Sequence, residues 1–149
     1  MSMSLSQIFD IAGSGMSAQS IRLNTTASNI ANAETASSST GDVYRARKPV
    51  FAAVQQDAMR QAMGSDFLAD TPESKGVVVK GIVESDAPLE MRYQPDHPQA
   101  NEQGYVYYPN VNVVEEMADM MSASRSFQTN VEIMDAAKTM MQRLLTLGQ

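Results

Sequence analysis

The sequence predicts a mainly α fold with a small β-rich insert. Long N- and C-terminal helices pack as an antiparallel coiled-coil-like pair, completed by neighbouring copies. Three observations lead there. Residues 110–149 hold no Pro and a single Gly, Gly148, and carry apolar residues at alternating steps of four and three. Residues 4–33 repeat that spacing. Between them, β-branched and aromatic clusters alternate with Pro, Gly and most of the charge. The chain accordingly divides into 1–33 (N-terminal helix of the core), 34–109 (β-rich middle) and 110–149 (C-terminal helix).

In the first helix the stripe is Leu5, Phe9, Ala12, Met16, Gln19, Leu23, Thr26 and Ile30. Ser4 with Gln7 fits a capping box, and Met3 with Ile8 a hydrophobic staple. Asp10 and Arg22 are the only charges before Glu34; Ser, Thr, Asn, Gln, Ala and Gly fill the rest. Several of these are weak helix formers, so the helix is marginal alone. Gly13 and Gly15 permit close approach of a neighbour. So bland a surface suits burial on more than one side.

Residues 33–41 read as loop, and 43–48 and 49–55 as extended pieces around Pro49, which disfavours helix at Lys48. Residues 56–67 are ambiguous between a short helix using Met59 and Met63 and an irregular excursion; 70–76 is turn-like. Strands are predicted at 77–83, 89–93 and 104–108, by β-branched and aromatic content. Tyr105, Tyr107 and Tyr108 read as strand packing, with an interface role as the alternative.

Asn112 with Glu115 opens the last helix as a cap with its acidic partner. The stripe then runs Val113, Met117, Met120, Phe127, Val131, Met134, Met141 and Leu145, with Ser124 and Lys138 at the imperfect positions. Such a helix spans about 50 Å at 1.5 Å per residue. Its partner is either the first helix or a neighbouring chain. Several of the twelve methionines cluster on or beside this stripe. Met adapts to irregular packing, which suits an assembly of slightly different contacts better than a peptide groove.

Composition excludes several function classes. The formal charge is −6, from 17 acidic and 11 basic residues, and no basic stripe marks a nucleic-acid surface. Without Cys there are no disulfides and no thiol chemistry. No signal peptide or membrane-spanning segment is legible. His97, the sole histidine, lies between Asp96 and Pro98, with no second His or Cys for a zinc site. Glu115, Glu116 and Asp119 complement the helix dipole without needing a cation. Gly13, Gly15 and Gly41 fit no phosphate loop. No cofactor or catalytic residue is predicted. Two long helices, the first with little charge, point instead to a polymer-forming structural protein, whose non-closing contacts build a tube or rod.

The segments Ile8–Gln19 and Arg22–Ala33 resemble the N-terminal signature of the bacterial flagellar basal-body rod family. Thr40–Phe51 is most similar to its C-type proximal-rod members, and Asn110–Met117 resembles the signature opening the family's last helix. Many rod and hook relatives follow Ala-Asn-x-x-Thr almost at once with Gly and an aromatic. Here Ala31-Asn-Ala-Glu-Thr35 is followed by five residues before Gly41, and the aromatic waits until Tyr44, which also fits the C-type proteins. The signature positions are Asn24, Asn29, Ala31, Asn32, Thr35, Tyr44, Arg45, Pro49, Asn110, Asn112, Glu115 and Glu116.

The resemblance implies that the terminal helices form the inner layer of a hollow axial tube, with the stripe residues of both helices as the assembly interface. It implies copies of the chain, other proximal-rod proteins, and membrane-embedded ring and rod-adaptor proteins as partners. It also implies export through the flagellar export apparatus without a cleaved signal peptide, no direct membrane insertion, and a torque-transmitting place in the basal body across the periplasm. The competing readings are a cytosolic helical adaptor or secretion chaperone that never polymerises, and a peptidoglycan hydrolase, for which no poised carboxylate pair is evident.

Overall fold

The computed structural model describes residues 5–54 and 76–147. The elements are α1 (Leu5–Asn32), β1 (Arg47–Ala53), β2 (Val77–Glu84), β3 (Glu90–Tyr93), β4 (Tyr105–Tyr108) and α2 (Val113–Leu147). Two long helices thus bracket two small two-stranded sheets, β1–β2 and β3–β4. The capping box at Ser4 with its staple at Met3, and the ambiguous segment 56–67 with most of the following turn, lie outside the described residues.

Both helix boundaries have visible chemistry. Asn112 Oδ1 accepts from the backbone N–H groups of Val114 (3.1 Å) and Glu115 (3.3 Å), capping α2. At the end of α1, the Asn32 side chain donates to Ser28 O at 2.8 Å. Thr35 then donates to Asn32 O from its hydroxyl (2.7 Å) and its backbone (3.1 Å). Carbonyls that α1 leaves open are thereby satisfied.

Pro49 sits inside β1 rather than between two pieces, and the pairing explains why it is tolerated. Val54 N donates to Gly76 O (2.9 Å) and Ala46 O accepts from Ser85 N (2.8 Å), so even-numbered positions of β1 address β2. Arg47 N turns the other way, to Asn29 Oδ1 at 2.9 Å. Pro49 falls on that outward side, where its missing N–H breaks no ladder bond. Ala46 to Val54 spans eight steps and Gly76 to Ser85 nine, so the β2 side carries one residue more between these two bonds.

The chain forms two compact units, each assembled from discontinuous segments: Met1–Ser20, Phe51–Lys80 and Arg125–Gln149 in the first; Ile21–Val50 and Gly81–Ser124 in the second. Each unit draws on all three sequence segments, so the divisions at 33/34 and 109/110 follow element order rather than compactness.

Among the described residues, most buried apolar side chains lie in the second unit. Val43, Ala46, Val106, Tyr108 and Ala123 are buried there, Val106 completely. β3 and β4 pair antiparallel from Glu90↔Tyr108 to Tyr93↔Tyr105. Ser37 bridges the other edge of β4 through reciprocal bonds with Tyr107 of 3.0 and 2.9 Å. The tyrosines do pack: Tyr93 meets Tyr105 edge-on at 5.3 Å, Arg92 lies 4.5 Å over the Tyr108 ring, and Tyr108 donates to Gln94 at 3.1 Å. In the first unit, the side chains buried among the described residues are Ala12, Ala18 and Ala137.

Candidate assembly interface

The two helices meet within each unit, in opposite chain directions. In the second unit, Arg22 bonds Asp119 at 2.8 Å and Asn29 bonds Glu116 at 3.0 Å. In the first, a Cβ on Gly13 would touch Met134, and one on Gly15 would lie 2.8 Å from Asn130 Nδ2. The approach there is close because α1 offers no side chain at Gly15.

The face that α2 buries is not the predicted stripe. Glu116 and Ala123 are buried in the second unit and Ala137 in the first, one residue before Met117, Ser124 and Lys138. Met117 is 51% exposed, with Val114 and Met121 also exposed beside it. The physical reason lies in Asn29. Its amide holds the Glu116 carboxylate against α1, which fixes the rotation of α2 at that turn. Small residues bring the backbones together there, and larger ones flank them. Hydrophobic periodicity weights Met above Ala, whereas the apolar residues that α2 buries within the subunit are Ala123 and Ala137.

Of the other stripe residues, Ala12 is buried. Leu5, Phe9, Met16, Leu23 and Ile30 on α1 and Val113, Met120, Phe127, Val131 and Met134 on α2 are half-buried. Met141 and Leu145 are exposed, together with Met140 and Leu144 beside them. α1 has 28 residues and α2 has 35.

The signature residues converge differently. Asn29, 1% exposed, makes four hydrogen bonds: its Nδ2 donates to Arg47 O (2.8 Å) and Glu116 Oε2 (3.0 Å), and its Oδ1 accepts from Tyr44 Oη (2.8 Å) and Arg47 N (2.9 Å). This fills the capacity of an amide. One side chain thereby joins α1, the segment before β1, β1 itself and α2. Asn110 does the same below it: Oδ1 accepts from Ala46 N (2.8 Å), and Nδ2 donates to Ser85 O (3.2 Å) and Ala87 O (2.9 Å). Arg45 also reaches Ser85 O, at 3.1 Å. Asn24, Ala31, Thr35, Asn112 and Glu115 are exposed, and Pro49 is half-buried. Asn29, Tyr44, Arg45, Asn110 and Glu116 thus build the subunit's own frame.

The three carboxylates at the start of α2 each take a separate partner: Lys48 for Glu115 (3.1 Å), Asn29 for Glu116 and Arg22 for Asp119. Among the described residues no group of three potential ligands is arranged to hold a metal ion. His97 stays in its loop, accepting from Gln99 N at 3.1 Å. Sequence reading missed the Arg22–Asp119 and Arg47–Glu84 pairs, whose members are far apart in the chain and carry no local pattern.

Lys48 is held above its ordinary pKa by its hydrogen bond to Glu115, aided by the charges of Glu115, Glu116 and Asp119 and opposed by partial burial. A raised folded pKa contributes stability that is present below the unfolded lysine value and lost as pH rises through the folded one. Both side chains are more than half exposed, so solvent screens the pair. Glu115→Gln should cost less than about 1 kcal/mol in urea unfolding near neutral pH. The difference from wild type should fade only above the ordinary lysine range. A difference that vanished already in mild alkali would mean another group carries it.

Comparison with known proteins matches this arrangement at both ends of the chain. The family model described as "Flagella basal body rod protein" matches residues 9–36, and "Flagellar basal body rod FlgEFG protein C-terminal" matches residues 102–147. The flagellar basal-body rod protein FlgC of Salmonella typhimurium is 48% identical over 148 residues, covering 99% of this chain and all of the relative. FlgC of Escherichia coli O6:H1 is 46% identical over 147 residues, with the same coverage. FlgC of Borreliella burgdorferi is 35% identical over 152 residues, covering 99% of each. Similarity of this extent, running through the Asn29 frame and both helices, establishes that the chain belongs to the FlgC family of flagellar basal-body rod proteins.

Proposed function

We propose that this structural subunit of the flagellar basal-body rod polymerises through the faces of its terminal helices that remain open beside the α1–α2 contact. The observation that carries the reading is the apolar surface of α2: Val114, Met117 and Met121 in the second unit, and Ile133, Met140 and Leu144 in the first, are all more than 40% exposed. So much exposed apolar surface marks an interaction site. The Met content suits neighbours that are similar but not identical.

In this reading the neighbours are copies of the chain and other proximal-rod proteins, adjoining the ring and rod-adaptor proteins of the basal body. The subunit is exported by the flagellar apparatus without a cleaved signal peptide, and the rod crosses the periplasm, transmitting torque. We assign it no catalytic step; the three carboxylates at the start of α2 each take a separate partner instead of forming a poised pair. No helix among the described residues is long and apolar enough to cross a membrane. Nothing in the fold or among the relatives favours a cytosolic adaptor.

Met121→Asp and Leu144→Asp test the interface. Their wild-type side chains are 63% and 60% exposed, so the free subunit should keep its stability within about 0.5 kcal/mol. Recovery of each variant with isolated basal bodies should fall at least tenfold. Wild-type recovery of both would remove the outer face of α2 from the interface.

A further inference from the structure

β3 is the outer strand of its sheet. Tyr107 turns its backbone N–H and C=O to Ser37, so it is Val106 and Tyr108 that address β3. Gln94 N donates to Gly104 O at 2.9 Å and continues that pattern along the even positions of β3. The backbone groups of Met91 and Tyr93 therefore point away from β4, to an edge that no strand among the described residues pairs. All four residues of β3 are exposed, Met91 at 55% and Tyr93 at 66%. An open edge is a template for pairing with another chain.

Charged side chains commonly blunt such an edge, but here the order of Glu90 and Arg92 selects a partner instead. When two copies meet antiparallel with Met91 opposite Met91, Glu90 of each faces Arg92 of the other, and Tyr93 faces Leu89. The odd positions, whose N–H and C=O are open, then form the hydrogen-bonded pairs. Glu90 and Arg92 already bond at 2.9 Å within one strand, so the two strands together set each guanidinium between two carboxylates. Sliding by the two residues that keep the backbone bonds sets Glu90 against Glu90 in one direction and Arg92 against Arg92 in the other. Like charges directly opposite are destabilising, so one register stands out.

We propose that β3 is a self-complementary edge, which pairs antiparallel about Met91 with β3 of a second copy of this chain and joins their sheets into one of four strands. Main-chain bonds supply the attraction, and the alternate side chains supply the register. Leu89, Met91 and Tyr93 of both copies come onto one face, and the four charges onto the other. Such a contact uses the same patch on both copies and closes after two. It therefore cannot propagate a rod, and belongs to the subunit outside the polymer.

The chain has no Cys, so a single introduced thiol reports the register. Met91→Cys puts two thiols across a pair whose Cα atoms lie about 5.5 Å apart, inside the span that a disulfide bridges. Tyr93→Cys sets them four residues out of step, about 14 Å apart. Under mild oxidation of the free full-length chain, Met91→Cys should form disulfide-linked dimer at least about tenfold faster than Tyr93→Cys. Adding Arg92→Glu to Met91→Cys brings like charges face to face and should slow the reaction at least about fivefold. Adding Glu90→Arg as well makes the facing charges opposite again, and the rate should return. Equal rates for the two cysteine variants overturn the proposal, and so does failure of the charge exchange to recover what Arg92→Glu lost. Neither result depends on basal-body recovery of Met121→Asp and Leu144→Asp, so this inference and the assembly reading fail separately.

Discussion

Asn29→Ala should destabilise the free subunit by about 3 kcal/mol or more, because it strands several buried polar groups at once. The side chain is 1% exposed and uses both of its donors and its acceptor oxygen. Truncation leaves the Glu116 carboxylate without its amide partner, in a residue only 4% exposed. It also leaves both backbone groups of Arg47 without the partner that joins them to α1, and Tyr44 Oη with only its longer bond to Ser28 Oγ. No water-sized apolar replacement repairs that pattern. Asn29→Asp should be worse still near neutral pH. The substitution has the same shape, but it replaces the amide donor by a second carboxylate about 3 Å from Glu116, and like charges at such separation oppose ionisation of both. Part of its loss should return in mild acid, where one shared proton restores a hydrogen bond between the two oxygens. Tyr44→Phe removes the bond to Asn29 Oδ1 and a longer one shared with Ser28 Oγ, and should cost about 1 kcal/mol. Urea unfolding of the three variants, with Asp at two pH values, gives the order. If Asn29→Ala costs less than Tyr44→Phe, the frame is not organised around Asn29.

That result bears on how much of the molecule was legible in its sequence. Heptad spacing marked both helices to within a residue or two, and Asn112 marked the start of α2 through its capping chemistry. Three strands followed from β-branched and aromatic clusters. These features are local, and local patterns survive without knowledge of the fold. The centre of the α1–α2 contact was not local. It depends on Ala123, Ala137, Gly15 and a buried Glu116, which score as poor core residues by hydrophobicity yet decide how closely the helices approach. The Asn29 frame was legible only as a recurring signature. Its partners Arg47, Tyr44 and Glu116 are 15 to 87 residues away along the chain, and nothing short of the fold brings them together. The residues that join the helices, Asn29 and Glu116, were legible only as part of the family resemblance.

The division of labour between frame and open face also explains a feature that composition alone makes puzzling. A first helix with almost no charge could be soluble only if covered, yet α1 contributes its most polar buried residues, Thr25, Thr26 and Asn29, to the second unit and its small ones, Ala12 and Ala18, to the first. The polar set makes specific bonds and holds the subunit's shape. The small set adds closeness without much stability.

Gly76→Ala should separate these two roles. Gly76 has φ of +123°, a backbone conformation that strains any residue with a Cβ. An added Cβ would also run into Ser14 Oγ and come within 3.0 Å of Ser14 Cβ. The same residue accepts from Val54 N, and its neighbour Val77 donates to Ser14 Oγ, so it anchors the β1–β2 ribbon to α1 within the first unit. Backbone strain and overpacking together should cost about 3 kcal/mol there. Where the first unit is folded in the free subunit, that cost should appear in its urea unfolding, and recovery with basal bodies should drop more than tenfold. Adding Ser14→Ala relieves the collision with the hydroxyl but leaves the strained φ, so recovery should improve only in part. A Gly76→Ala subunit that unfolds at wild-type denaturant concentration and also assembles normally would show that the ribbon is not anchored through Gly76. One that is already destabilised when free would place order in the first unit ahead of assembly, because strain in a segment can lower stability only where that segment is folded.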